Sequence, residues 1–200
     1  LVIWLSIVNF QPTFGLNFWE SEFAGLSNYV KILQDSGFVL SVVRTILVSL
    51  VCLGVEFALG LLISSLLTGE VLGKKVLFPL LIVPLMIPPL VIGNNFWLIF
   101  SANGPVNQLL SIITGNEIKI SWFSHPKYAI VPIVLSEIWH WYPLTFLILF
   151  SGLANVPVSE VRAARILGAN EWQIFGRIKL PKLKGIIAIA LVIRMMEALK

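Results

Sequence analysis

The feature that most constrains this chain is the length of its uncharged stretches. Val76 to Phe100 contains no charged side chain, Tyr128 to Leu153 only Glu137, and Phe38 to Leu67 only Arg44 and Glu56. From Gly185 the chain is again apolar until Arg194. A helix needs roughly 20 apolar residues to cross a bilayer, and runs of this length exceed the helix of a soluble core. They are also too long and unbroken for the strands of a membrane barrel. Composition agrees: of 200 residues, 58% are hydrophobic and 12% charged, where a soluble domain carries about a quarter charged residues. The sequence predicts an all-α, polytopic membrane protein. Its spans fall at about 38–67, 76–100, 128–153 and from 185 to 200 onward.

Both ends read as helices cut short. Position 1 is not Met, and Leu1 to Phe10 is apolar but too short to span. No basic residue opens the chain, as a secretory signal would require. Residues 1–37 are expected to hold the end of one transmembrane helix and an extracytoplasmic segment, and 38–200 a partial membrane core. Cys52 is the single cysteine; alone in an apolar run it reads as packing. Pro79, Pro84, Pro88 and Pro89 interrupt the second span. They predict a bend, in a kinked packing helix or in a gate.

The positive-inside rule gives an orientation. Lys74 and Lys75 lie in the loop Thr68 to Lys75. Arg162, Arg165, Arg177, Lys179, Lys182 and Lys184 follow the third span. Two spans separate these loops, so both are expected in the cytoplasm. The opposite loops hold Glu20, Glu22, Asp35 and Glu117 against Lys31, Lys119 and Lys127, close to balance. Trp19, Trp122 and Tyr128 suit the outer interface. The net charge of +4, clustered in this way, favours a bilayer surface over nucleic acid as partner.

The loop at 154–184 is structured for a connector. Ser159 reads as a helix N-cap with Glu160 in the favourable first turn. Ala163, Ala164 and Leu167 share one face, and Gly168 ends the helix. Asn170 and Gln173 have capping-box spacing for a second short helix. Trp172, Phe175 and Ile178 form its apolar stripe, and Pro181 limits it. Two short helices about a glycine hinge suit either a docking element for another protein or an amphipathic segment on the membrane surface.

The residues in this loop resemble a known motif. Arg162-Ala163-Ala164, three residues, Gly168-Ala169, then Ile178-Lys179-Leu180-Pro181 is similar to the EAA loop of ABC-importer permease subunits, whose pattern is Glu-Ala-Ala, Gly, Ile-x-Leu-Pro at the same spacing. Gly25-Leu26-Ser27-Asn28-Tyr29, Gly104-Pro105-Val106-Asn107 and Glu137-Ile138-Trp139-His140-Trp141-Tyr142-Pro143 extend the likeness to the carbohydrate-import, maltose-type branch. The resemblance implies a coupling helix built on Glu160, Arg162, Ala163, Ala164, Leu167, Gly168 and Ala169. It implies cytoplasmic ATPase subunits, a second permease subunit and an extracytoplasmic solute-binding protein as partners, and a multi-pass location in the inner or plasma membrane. Two departures stand out: Arg162 replaces the usual Glu, so a docking ion pair would be rearranged or come from Glu160, and Leu167 resembles polyamine and oxyanion branches.

No enzymatic constellation is visible. Gly69-Glu70-Val71-Leu72-Gly73-Lys74-Lys75 has the wrong glycine spacing for a phosphate loop and no hydroxyl after Lys. His140 with Glu137 is a poor metal pair. ATP and magnesium are therefore expected on the partner subunit, with no cofactor on this chain. Charge at bilayer depth is costly and marks functional candidates. Glu137 and Glu197 fall near the midplane, where importers place substrate. Trp141 and Leu144 extend the Glu137 face, with His140 beside it. The resemblance adds Met196 and gives Glu137, His140, Trp141, Leu144, Met196 and Glu197 as sugar contacts. The alternative pairs Glu137 and Glu197 with Arg194 or the neighbouring subunit; Arg194 facing the cavity would instead suit an anionic solute. Trp97, Asn94 and Asn95 are further path candidates. Arg44 and Glu56 are expected to be satisfied by neighbouring helices. An importer for a polyamine or oxyanion, and an ATP-independent channel or scaffold, remain as alternative functions.

Overall fold

The computed structural model describes residues 2–9, 21–69 and 71–198. Trp19 and Glu20, expected at the outer surface, lie outside the described residues. Regular structure among the described residues is helical, apart from one isolated bridge between Val8 and Phe23. The chain forms two compact units, Leu1–Val48 and Ser49–Lys200.

The first unit holds α1 (Val2–Ser6), α2 (Ser27–Gln34) and the start of α3 (Ser36–Leu67). Asn28 donates to the carbonyls of Ser6 at 3.2 Å and Val8 at 3.1 Å, and the Tyr29 hydroxyl donates to Ser6 Oγ at 2.6 Å. These bonds are what the Asn-Tyr of the Gly25–Tyr29 segment does: it ties the start of α2 to the strand-like turn at residues 6–8. The Asp35 carboxylate accepts from the Gly37 N–H at 2.9 Å and so caps the orphan donors of α3. The expected division at 37/38 separates an extracytoplasmic segment from the membrane core; the compact units divide at Val48/Ser49, inside α3. Residues 36–47, Arg44 included, are all exposed.

The second unit is built around one helix. After α3 come α4 (Lys74–Met86), α5 (Pro89–Ile99), α6 (Pro105–Thr114) and α7 (Ile130–Ala154). Then come α8 (Val158–Ile166), α9 (Glu171–Ile174), α10 (Leu180–Lys182) and α11 (Lys184–Ala198). α7 packs against α4, α5 and α11. Its Phe146 and Leu149 are fully buried; Phe78 of α4 meets Phe146 and Phe150 at ring distances of 5.4 and 5.2 Å. Gly60 lets α3 reach the backbone of α7, since a Cβ there would stand 2.9 Å from the Phe146 nitrogen. Small residues at such crossings let membrane helices approach. Cys52 is buried, as packing requires.

α3 and α7 are each long and apolar enough to cross a membrane; α4 and α5 qualify only as a pair, bent by 96°. The single helix expected at 76–100 is therefore two. The cause is local: Pro88 and Pro89 hold Ile87 in extended backbone and remove two donors. Were the bent pair a hairpin returning to its starting side, the basic loops before α4 and after α7 would face opposite sides. The positive-inside rule therefore makes the pair one broken span.

The connection from α5 to α7 is pinned by Asn107, which is buried. Its amide donates to the carbonyls of Ser101, Ala102 and Ile120, and its oxygen accepts from Trp122 Nε1 at 3.0 Å. Trp122 therefore acts as a partner within the fold as well as a candidate interface residue.

Candidate functional site

Three helices of the second unit bring ionised side chains together inside the membrane core. Arg194 of α11 grips Glu56 of α3 with two parallel bonds, Nε to Oε2 at 2.6 Å and Nη2 to Oε1 at 2.9 Å. The same Nη2 donates to Oε1 of Glu137, on α7, at 2.5 Å. Arg194 and Glu56 are 1% and 0% exposed at their side chains, Glu137 40%. The guanidinium also lies 4.8 Å from the ring centre of Trp141, a cation–π arrangement. Isolated charges cannot remain buried in such surroundings. The bidentate fork of Arg matches the carboxylate and makes the burial tolerable.

His140, on the same turn of α7, has a different task. Its Nδ1 meets the carbonyl of Pro84 at 3.0 Å. A carbonyl only accepts, so Nδ1 carries the proton. In an unbroken helix the Pro84 carbonyl would take the amide of residue 88, but Pro88 has none. His140 thus supplies a donor where the break removed one, and Tyr142 adds a bond to the Leu81 carbonyl at 3.2 Å.

Of the sequence-predicted path residues, the structure gathers Glu137 and Trp141 around Arg194. Leu144 is half-buried one turn further along α7, while Met196 and Glu197 are exposed on α11. His140 is buried against α4. Asn94, Asn95 and Trp97 are exposed on α5. The reading that paired Glu137 with Arg194 describes the observed contact. Arg194 and Glu56 were not among the proposed site residues, yet they form its centre. Their signal was present: Glu56 is the one acidic residue of α3, and Arg194 interrupts the uncharged run that follows Gly185.

The loop at 154–184 departs from expectation in three places. Helix α8 is preceded by Pro157 in extended backbone, so Ser159 lies inside the first turn rather than capping it. In the second short helix the buried anchor is Ile174, and Trp172 is 85% exposed. Pro181 does not end the helical path, because a π-helical turn at Phe175–Lys179 precedes it and carries the chain through α10 into α11. Widening to π spacing accommodates the donor that proline lacks. Asn170 and Gln173 do form the reciprocal capping box, at 2.9 and 3.0 Å. Gly168 has φ +84°, the left-handed turn between the helices.

The loop is laced by two exposed ion pairs, Arg165 with Glu171 at 2.8 Å and Lys182 with Glu160 at 2.7 Å. The Arg165 guanidinium holds the Glu171 carboxyl below its usual range. Glu160 is therefore engaged within the chain, and Arg162, Ala163, Leu167 and Gly168 are left facing outward, with Ala164 and Ala169 half-buried. Ile166 and Leu167 are each 86% exposed, an apolar tip on an otherwise polar segment.

Residues 56–200 match the family described as "Binding-protein-dependent transport system inner membrane component". Over 98% of its length the chain is 30% identical to the trehalose/maltose transport system permease protein MalF of Thermococcus litoralis, covering 65% of that protein. It is 27% identical to the trehalose transport system permease protein SugA of Mycobacterium tuberculosis over 90% of this chain, covering 57% of that one. The chain thus spans less than two thirds of the length of both relatives. A bacterial ABC transporter involved in the import of the acidic polysaccharide alginate shares the fold, with a TM-score of 0.80 at 22% identity, over 98% of this chain and 66% of the other.

Proposed function

The chain belongs to the family of binding-protein-dependent transport system inner membrane components, and from that premise we propose that it is the transmembrane subunit of an ATP-driven sugar importer. The solute is an oligosaccharide or a related sugar delivered by an extracytoplasmic binding protein. The observation that carries this reading is the likeness, along almost the whole chain, to a permease named for trehalose and maltose. The geometry supports it: Glu137 offers a half-exposed carboxylate to sugar hydroxyls, and Trp141 an aromatic face beside it. His140 contributes by holding the bend between α4 and α5, not by touching solute.

The partners in this reading are a second permease subunit and cytoplasmic ATPase subunits, which hold ATP and magnesium. This chain supplies no ATP chemistry. The turn from α8 to α9, with Ala163, Leu167, Gly168 and Ala169 and the basic Arg162, docks on the ATPase subunit as the coupling element. ATP binding moves that element, and the spans rock about the midplane site. A polyamine importer is the second reading, favoured by one observation: the Glu56–Arg194–Glu137 cluster holds more carboxylates than cations.

The test is reconstitution of the full-length protein with its partner permease, ATPase subunits and binding protein. ATP hydrolysis is recorded against sugars, polyamines and oxyanions. Stimulation by one sugar supports the proposal. Stimulation only by a polyamine or oxyanion moves the chain to another solute class. Failure to assemble with any ATPase subunit leaves a channel or scaffold.

A further inference from the structure

Resting on the sugar-importer reading, we propose that the Glu56–Arg194–Glu137 cluster sets the charge class of the solute: it accepts a neutral polyhydroxylated ring and rejects an acidic one. Two carboxylates stand against one guanidinium, so the cluster holds one negative charge in excess. The charge of Arg194 is taken up by its two bonds to Glu56, both side chains being 1% exposed or less. What faces outward is Glu137, 40% exposed at its side chain. A carboxylate at bilayer depth does not face lipid, so its exposed part belongs to a cavity or a subunit seam.

Two hydrogen-bonding positions are left open. One Glu137 oxygen accepts from Arg194, and the other has no bond among the described residues. Arg194 Nη1 is buried and has no partner among the described residues. A buried donor without a partner is costly and rare in native proteins, and a ligand or water usually fills it. This donor and acceptor belong to two groups joined by the Arg194–Glu137 bond. A hydroxyl donates and accepts at once, so neighbouring hydroxyls of a sugar ring satisfy both. A solute carboxylate only accepts. It would fill Nη1 while standing against Glu137 with nothing to donate. The Trp141 ring presents its electron-rich face to the same guanidinium, which further lowers its appeal to an anion. The fold does not impose this choice, since a transporter of the same fold is involved in importing an acidic polysaccharide.

Binding of maltotriose and of trigalacturonate is measured directly on the full-length protein, assembled with its partner permease and ATPase subunits in nanodiscs. The binding protein is omitted so that its own selectivity does not intervene. Maltotriose is expected to bind about tenfold tighter or more, as like-charge juxtaposition dictates. Glu137→Gln, which removes the excess charge and keeps the shape, is expected to narrow that ratio. Equal or tighter binding of trigalacturonate by the wild type overturns the inference alone, as does a ratio unchanged in Glu137→Gln. If Glu137→Gln fails to assemble, the wild-type ratio decides. Binding of spermidine with neither trimer bound overturns the sugar reading and this inference with it.

Discussion

Replacing Arg194 with Met should cost more than any other single change in the second unit. The guanidinium makes two bonds to Glu56, one to Glu137, and a cation–π contact with Trp141. Its loss leaves the Glu56 carboxylate, 0% exposed, with no counter-charge. Removing one partner of a buried pair costs about 3–5 kcal/mol, chiefly because the other charge stays behind uncompensated. The double change Glu56→Met/Arg194→Met removes both buried charges and replaces them with flexible apolar side chains. Glu137, being partly exposed, retains access to water. The double variant should therefore recover most of the loss and lie within about 2 kcal/mol of wild type. The assay is reversible denaturant unfolding of the purified full-length chain in detergent, with Glu56→Met completing the cycle. A double variant as unstable as Arg194→Met alone would refute the reasoning, because the cost would then lie in lost packing or lost bonds rather than in a stranded charge. So would an Arg194→Met protein of wild-type stability.

Gly60→Ala places a methyl 2.9 Å from a backbone nitrogen of α7, which cannot swing away; unfolding measurements should show a loss of about 1–3 kcal/mol. Gly168→Val meets no steric obstacle, but its φ of +84° is strained for a β-branched residue, so the turn should rearrange; coupled uptake should be abolished in reconstituted vesicles, and unchanged uptake would count against the coupling role. His140→Phe strips the Pro84 carbonyl of its side-chain donor and leaves it the Ile87 N–H at 3.3 Å, so unfolding measurements should show the loss of one hydrogen bond, about 0.5–1.5 kcal/mol, with His140→Asn, which can still donate, recovering part of it. Glu171 should titrate below an ordinary glutamate. Because its folded pKa is depressed, its bond to Arg165 stabilises the loop above the ordinary carboxylate range and is lost as pH falls through the lower, folded value; carboxyl NMR should show the midpoint returning to normal in Arg165→Met.

The membrane class, the long apolar helices α3 and α7 and the capped turn at Asn170 were legible because each rests on local rules. Uncharged length, proline placement and Asx-x-x-Gln spacing are properties of a few neighbouring residues. The break at Ile87 was legible as a bend, and only its size was not, because the angle depends on what receives the freed carbonyls. Ser159 shows the opposite limit. It has the chemistry of an N-cap, but Pro157 two residues earlier has its φ already fixed for a helix start and takes the position in front of the first turn. Trp172 is exposed and Ile174 buried because a single helical turn is too short for its own periodicity to fix the buried face.

The partnership of Glu56 with Arg194 was the hardest part to read, since 138 positions separate them in sequence. What sequence can state is a balance: an apolar helix with one buried charge requires an opposite charge from another helix, and Arg194 is the buried charge of α11 as Glu56 is of α3. The structure adds that a single turn of α7 connects this pair to the broken span. Glu137 and Trp141 on that turn hold Arg194, while His140, between them, holds the Pro84 carbonyl. α4 cannot shift against α11 without breaking one bond set or carrying α7 with it. Since the breaks in α4 are what make it deformable, and the charge cluster is what resists deformation, α7 is the element that ties the two together.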